Sequence, residues 1–257
     1  MGRRGNRTIN LPAPYLKRVW VEPSRVVDRK AYPFCLPIFS EDFELRFEAP
    51  ITIIVGENGT GKSTILEGIA ALAGYDDAGG GKGYMPVDHS QALEKMGGAL
   101  SEALRASWLP KITHGWFFRA ESFFSVARYL DQAALDDPLG RPPPDFLSHS
   151  HGEGFLLEER CQRQGIFIFD EPESALSPSR QIEFLKLLRR MDDSRICQVI
   201  MATHAPMLMA YPGAKLLRLT KAGLEPVMLR ETDHFNVMRE FCDDPAGFIE
   251  AALEEQG

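Results

Sequence analysis

Residues 51–64 read Ile-Thr-Ile-Ile-Val-Gly-Glu-Asn-Gly-Thr-Gly-Lys-Ser-Thr. A short β-branched run ends at Val55, and the pattern G-x-x-x-x-G-K-S starts at the next residue. The run suits a buried strand. Gly56, Gly59 and Gly61 let the backbone turn its N–H groups inward around an anion, with Glu57, Asn58 and Thr60 filling the loop between them. Lys62 is placed to reach the β- and γ-phosphates of a nucleotide, and Ser63 to ligate Mg2+. Thr64 and the residues up to Ala73 are good helix formers, so a helix N-terminus points at the phosphates. Strand, glycine loop and helix in this order commit the chain to an α/β fold organised around a P-loop.

The 257 residues suffice for one large α/β domain or two small ones, and 44% hydrophobic with 25% charged residues is ordinary globular composition. The formal net charge of −7 gives no overall basic footprint for nucleic acid, although a local patch stays open. Arg3, Arg4 and Arg7 precede no apolar stretch of signal-peptide length and read as a solvated terminus. No run of 18 apolar residues is present, so no membrane insertion and a cytoplasmic location are expected. Cys35, Cys161, Cys197 and Cys242 form no CxxC pair and read as buried, reduced thiols.

Alternation of apolar and polar residues predicts half-buried strands at 16–22 and 43–47, followed by the P-loop strand at 51–55 and its helix at 63–73. A Gly-rich loop at 76–83 contains Lys82, which no strand leads into and no Ser or Thr follows. Residues 90–106 and 122–135 read as helices around a strand at 115–120, with a Pro-rich break at 136–144. A helix at 154–163 leads to the apolar strand 165–169. Ser177-Pro178 reads as an N-cap and a Pro at N1, opening a helix whose apolar positions Ile182, Leu185 and Leu188 share one face, widened by Phe184, Leu187 and Met191. A buried strand at 198–202, a hairpin of 216–220 with 224–229, and a helix from Pro245 complete the chain.

Two further strand ends carry chemistry. The run Ile166-Phe167-Ile168-Phe169 ends in Asp170-Glu171-Pro172-Glu173. Asp170 at the tip is suited to hold Mg2+, and Glu171 to orient and polarise a water attacking the γ-phosphate. The run 198–202 ends in Thr203-His204-Ala205-Pro206, where His204 can hydrogen-bond the γ-phosphate and that water.

These motifs resemble the ABC ATPase superfamily from residue 16 to about 229, nearest the branch of RecF, the SMC proteins and coiled-coil repair ATPases. More narrowly, Phe-Arg-Ala-Glu-Ser-Phe at 118–123, Ser-His-Gly-Glu at 150–153 and Asp-Glu-Pro-Glu at 170–173 resemble a group of small bacterial "AAA family ATPases". The resemblance implies an α/β P-loop NTPase of ABC ATPase type, with an N-terminal antiparallel β-layer and a helical insert. It implies one domain over 1–257: β-layer and P-loop at 1–83, Q-loop strand and helical subdomain at 84–160, and Walker B, switch His and C-terminal hairpin at 161–257. Glu121 then sits at the Q-loop position, where it could approach Mg2+ or the attacking water. Ser150 and Gly152 occupy the signature position, with His151 and Glu153 replacing its usual Gly and Gln. Residues 174–177 match the D-loop, with Ser177 in place of the usual Asp. Tyr32 is the aromatic considered for adenine stacking, against simple core or loop packing.

The implied activity is Mg2+-dependent ATP hydrolysis in a head-to-tail homodimer. Each site would draw Ser150 and Gly152 from the opposite chain. A stand-alone ATPase in nucleic-acid transactions or defence, with a DNA, RNA or protein partner, is the first reading. The nucleotide-binding subunit of an ABC transporter is the second. A non-hydrolysing scaffold is disfavoured because Glu171 is kept. The short span between Glu121 and Ser150 leaves no room for a long coiled coil.

Overall fold

The computed structural model describes residues 11–39, 43–76, 79–82, 97–119 and 163–254. Two sheets frame the fold. The larger has six strands: β3 (Ile51–Val55), β5 (Gly115–Arg119), β6 (Gly165–Asp170), β7 (Cys197–Ala202), β8 (Lys215–Thr220) and β9 (Gly223–Pro226). Their order is β5-β6-β7-β3-β8-β9, parallel throughout except for β9, the antiparallel partner of β8 at the edge. The smaller sheet is antiparallel, with β1 (Leu16–Val21) between β2 (Glu44–Arg46) and β4 (Leu104–Trp108).

The central strands are apolar on both faces because both faces are covered. Ile54, Ile166, Ile168, Ile200 and Ala202 point into a core shared with helix α1 (Lys62–Ala73) and the small sheet. Ile51, Ile53, Val55, Phe167, Phe169, Val199 and Met201 point the other way. There they meet Phe184, Leu187, Leu188 and Met191 of helix α3 (Pro178–Ser194). Helix α2 (Gly97–Ala103) lies against α1 at Gly68, where an added Cβ would come within 2.7 Å of Leu104 and 3.0 Å of Leu100. The short helix α4 (Pro206–Met209), helix α5 (Asp233–Asp243) and helix α6 (Pro245–Glu254) complete the described elements.

Several expectations need correction. The helix predicted over 90–106 ends at Ala103 in the structure, and residues 104–108 form β4. Leu-Arg-Ala-Ser-Trp satisfies β1's open edge, and tertiary pairing overrides its helical propensity. On α3 the buried stripe is Phe184, Leu187, Leu188 and Met191, whereas Ile182 is 48% exposed, so the stripe is rotated from the predicted 182/185/188 face. Ser177 does occupy the N-cap position with Pro178 at N1, but its side chain makes no capping hydrogen bond. Of the cysteines, Cys197 is buried while Cys35 and Cys242 are exposed. The hairpin's second strand ends at Pro226, not Leu229. The readings on residues 122–135, 136–144, Arg3, Arg4, Arg7 and Cys161 lie outside the described residues, as does 154–163 except for Arg163. Among the described residues no helix is long and apolar enough to cross a membrane.

Candidate functional site: three strand ends around a P-loop

The parallel register brings three strand tips side by side. Ala202 at the end of β7 is flanked by Ile54 of β3 on one side and Asp170 of β6 on the other. The ladder extends one step further: Thr203 N–H donates to Ile54 O at 3.3 Å and Glu171 N–H to Ala202 O at 3.0 Å. The P-loop, the Asp-Glu pair and the Thr-His pair therefore open on the same carboxyl edge, where ligands of open α/β sheets bind.

Gly61 precedes α1 with φ 102°, a left-handed conformation that favours glycine. This turns the loop so that α1 starts at Lys62. The Lys62 ammonium is buried and donates to the carbonyls of Gly56 at 2.8 Å and Glu57 at 2.9 Å. Burial lowers its pKa, against the opposing charges of Glu171, Asp170, Glu57 and Glu173. Thr60 Oγ1 donates to Glu57 O at 2.8 Å across the loop, while Asn58 and Gly59 stay exposed.

Ser63 Oγ, in the first turn of α1, donates to Asp170 Oδ1 at 3.1 Å. A hydroxyl and a carboxylate in register are hard oxygen donors, the type Mg2+ takes. Among the described residues no three His, Cys, Asp or Glu side chains gather to hold a metal. Magnesium in nucleotide sites needs only one or two protein oxygens, with substrate phosphates and water, so Ser63 and Asp170 fit it. Arg119, at the tip of β5, adds a positive charge: its Nε lies 3.8 Å from Asp170 Oδ2, and Nη1 donates to Glu67 at 2.8 Å.

Glu171 adopts φ 48°, ψ 54°, unusual for a residue with a side chain. That turn brings Oε1 to 3.3 Å from His204 Nε2. His204 is fixed by its backbone: its N–H donates to Glu173 Oε1, and Glu173 Oε2 accepts from Thr203 Oγ1 at 2.8 Å. Its Nδ1 meets Nε2 of His234 at 2.8 Å. Glu121, Ser150 and Gly152 lie outside the described residues. Tyr32 is 44% exposed, and its hydroxyl shares a hydrogen bond with Thr64 Oγ1 behind the P-loop.

Sequence reasoning brought Lys62, Ser63, Asp170, Glu171 and His204 together, and the structure gathers them at one edge. The supports carry no assigned role in the sequence: Glu173 stands within the phrase at 170–173, and Arg119 and His234 lie outside the residues assigned to the site. For Arg119 a signal exists, since it stands near the end of the predicted strand 115–120; its place beside Asp170 comes from the register. For His234 none existed, because it is far away in sequence on a helix that was not predicted.

A model described as an AAA domain matches residues 34–95, the stretch holding β3, the P-loop and α1. The probable amino-acid ABC transporter ATP-binding protein y4tH of Sinorhizobium fredii is 26% identical over 200 residues, 68% of this chain and 77% of its own length. The molybdenum import ATP-binding protein ModC of Bordetella pertussis is 31% identical over 197 residues, 66% of this chain. The match spans only 50% of the length of ModC. Among solved structures, the SMC head domain from Thermotoga maritima aligns with TM-score 0.47 at 17% identity, over 84% of this chain and 100% of that one. The protein cbiO1 of Clostridium perfringens aligns with TM-score 0.47 at 18% identity, over 93% of this chain and 100% of that one. The sequence matches, with the motifs, indicate an ATP-binding ABC-type ATPase domain. Both of these relatives are ATP-binding proteins of transport systems, so the resemblance to RecF-type and small "AAA family" ATPases holds only at the level of the shared ATPase domain.

Proposed function

We propose that the chain hydrolyses ATP with Mg2+ at the carboxyl edge of β3, β6 and β7, and that ATP drives two copies together head to tail. The observation that carries this reading is the Ser63–Asp170 hydrogen bond at 3.1 Å with Glu171 and His204 next to it. Gly56 to Thr64 hold the phosphates: backbone N–H groups and the end of α1 point at them, and Lys62 exchanges its loop carbonyls for β- and γ-oxygens. Ser63 and Asp170 would hold magnesium, with Glu121 as a further carboxylate assigned from sequence alone. When bound, the ion supplies charge that offsets the phosphates. Glu171 orients the attacking water and accepts its proton. His204 donates from Nε2 toward the phosphoryl oxygens. Ser150 and Gly152 complete the opposite chain's site in the dimer.

Glu171→Gln tests the assignment. The amide keeps its hydrogen bonds but is a poor base, so hydrolysis falls about 10²–10⁴-fold. ATP binding persists, and an ATP-bound dimer accumulates in light scattering. Near-normal turnover removes Glu171 from the base role.

For the wider role, a stand-alone cytoplasmic ATPase acting on nucleic acid or a protein is the reading its motif phrases support. The relatives favour a second: the ATP-binding subunit of a transporter. ATPase turnover measured with DNA, with RNA and with membranes carrying the candidate permease separates the two. Stimulation by nucleic acid supports the first reading, and stimulation by the permease the second.

A further inference from the structure

His204 Nε2 is a buried polar atom facing the site. It lies 3.3 Å from Glu171 Oε1, yet it makes no well-formed hydrogen bond among the described residues. The other ring nitrogen meets His234 Nε2 at 2.8 Å, so one proton lies between the two rings. Two neutral arrangements are possible. If His204 donated from Nδ1, its Nε2 lone pair would lie 3.3 Å from the Glu171 carboxylate oxygen. If His234 donates from Nε2, His204 carries its proton on Nε2 and presents N–H to that carboxylate. The second replaces repulsion between two acceptors by attraction.

We propose that His234 is a positioning residue that locks His204 in the Nε2–H tautomer, so that its one ring N–H opens on the site beside the Glu171 carboxylate and serves the phosphoryl oxygens. The proposal rests on the ATP-hydrolysis reading of the site. His234 is presented by the first turn of α5, whose N-cap Thr232 accepts from Phe235 N–H at 3.4 Å. Burial, and then any positive charge on the neighbouring His204, lower the His234 pKa. Lys62 acts in the same direction, while Glu57 and Asp233 oppose it. A neutral His234 has one N–H to give, which this geometry spends on His204.

The test combines turnover with ¹⁵N NMR of histidine-labelled protein. In the wild type His204 shows the Nε2–H tautomer alone, and in His234→Ala it shows a mixture. His234→Ala lowers kcat about tenfold while KM for ATP stays within twofold, because a positioning residue acts through His204 and not by binding nucleotide. His234→Gln, whose amide still donates to Nδ1, recovers most of the loss. In a His204→Ala background, His234→Ala adds no further loss. Unchanged kcat in His234→Ala, equal losses in both backgrounds, or a mixed tautomer in the wild type would each overturn the proposal. An inactive wild type would instead sink the hydrolysis reading, and full turnover by Glu171→Gln would remove only the role of Glu171 as base. The NMR result tests the tautomer lock without reference to turnover.

Discussion

Glu171 meets two demands that oppose each other. Its carboxylate stands beside His204, and the turn after β6 that holds it there has φ 48° at Glu171. A side chain in this left-handed region costs on the order of 1–2 kcal/mol, which glycine avoids at some cost in unfolded-state entropy. Glu171→Gly is expected to raise the stability measured by urea unfolding by roughly 0.5–1 kcal/mol while abolishing turnover. A loss of stability would mean that the carboxylate's contacts outweigh the strain. Strained residues that remain at functional positions are the local exceptions a fold carries for its chemistry.

At the level of elements, the small sheet is tied to the large one by a buried amide. Gln198 on β7 is fully buried, and its Oε1 accepts from the N–H groups of Tyr15 and Leu16, both at 2.8 Å. Its Nε2 returns a bond to Leu16 O at 3.0 Å. Gln198→Ala orphans three backbone groups where β1 begins. The expected cost is about 3 kcal/mol, since each buried unsatisfied group costs ~1–3 kcal/mol and relaxation recovers part. Urea unfolding followed by tryptophan fluorescence checks this, and a cost under about 1 kcal/mol would mean that water takes the amide's place. A polar residue opening an apolar strand is visible in the sequence, but its partners, over 180 residues away, are not. The same limit explains α3. Its apolar residues widen round the helix, so periodicity alone picked the 182/185/188 face, and only the sheet beneath decided that Ile182 faces out.

For the whole molecule, the dimer reading predicts complementation. In that reading Lys62→Ala removes the charge proposed to face the phosphates, and Ser150→Arg blocks the proposed signature, whose residues lie outside the described set. Each protein alone is expected to lack ATPase activity. Mixed, they form a heterodimer with one intact composite site, and some activity returns. Full activity of Ser150→Arg as a dilute monomer would rule out sharing of sites between chains.

The P-loop strand, its loop and helix, and the two other strand ends that carry the candidates Lys62, Ser63, Asp170, Glu171 and His204 are legible in the chain. Each rests on a contiguous run whose local chemistry is self-sufficient: β-branched residues to be buried, glycines to turn, a polar tip to face solvent. Tertiary structure decided what depends on residues far apart. The order β5-β6-β7-β3-β8-β9 brings the tips together, because parallel neighbours are joined by crossovers whose ends no local pattern records. The unpartnered edge of β1 took residues 104–108 from a predicted helix, since pairing a row of backbone groups outweighs a weak propensity. The contact of His204 with His234 spans 30 residues and two elements, and only packing puts α5 beside the end of β7.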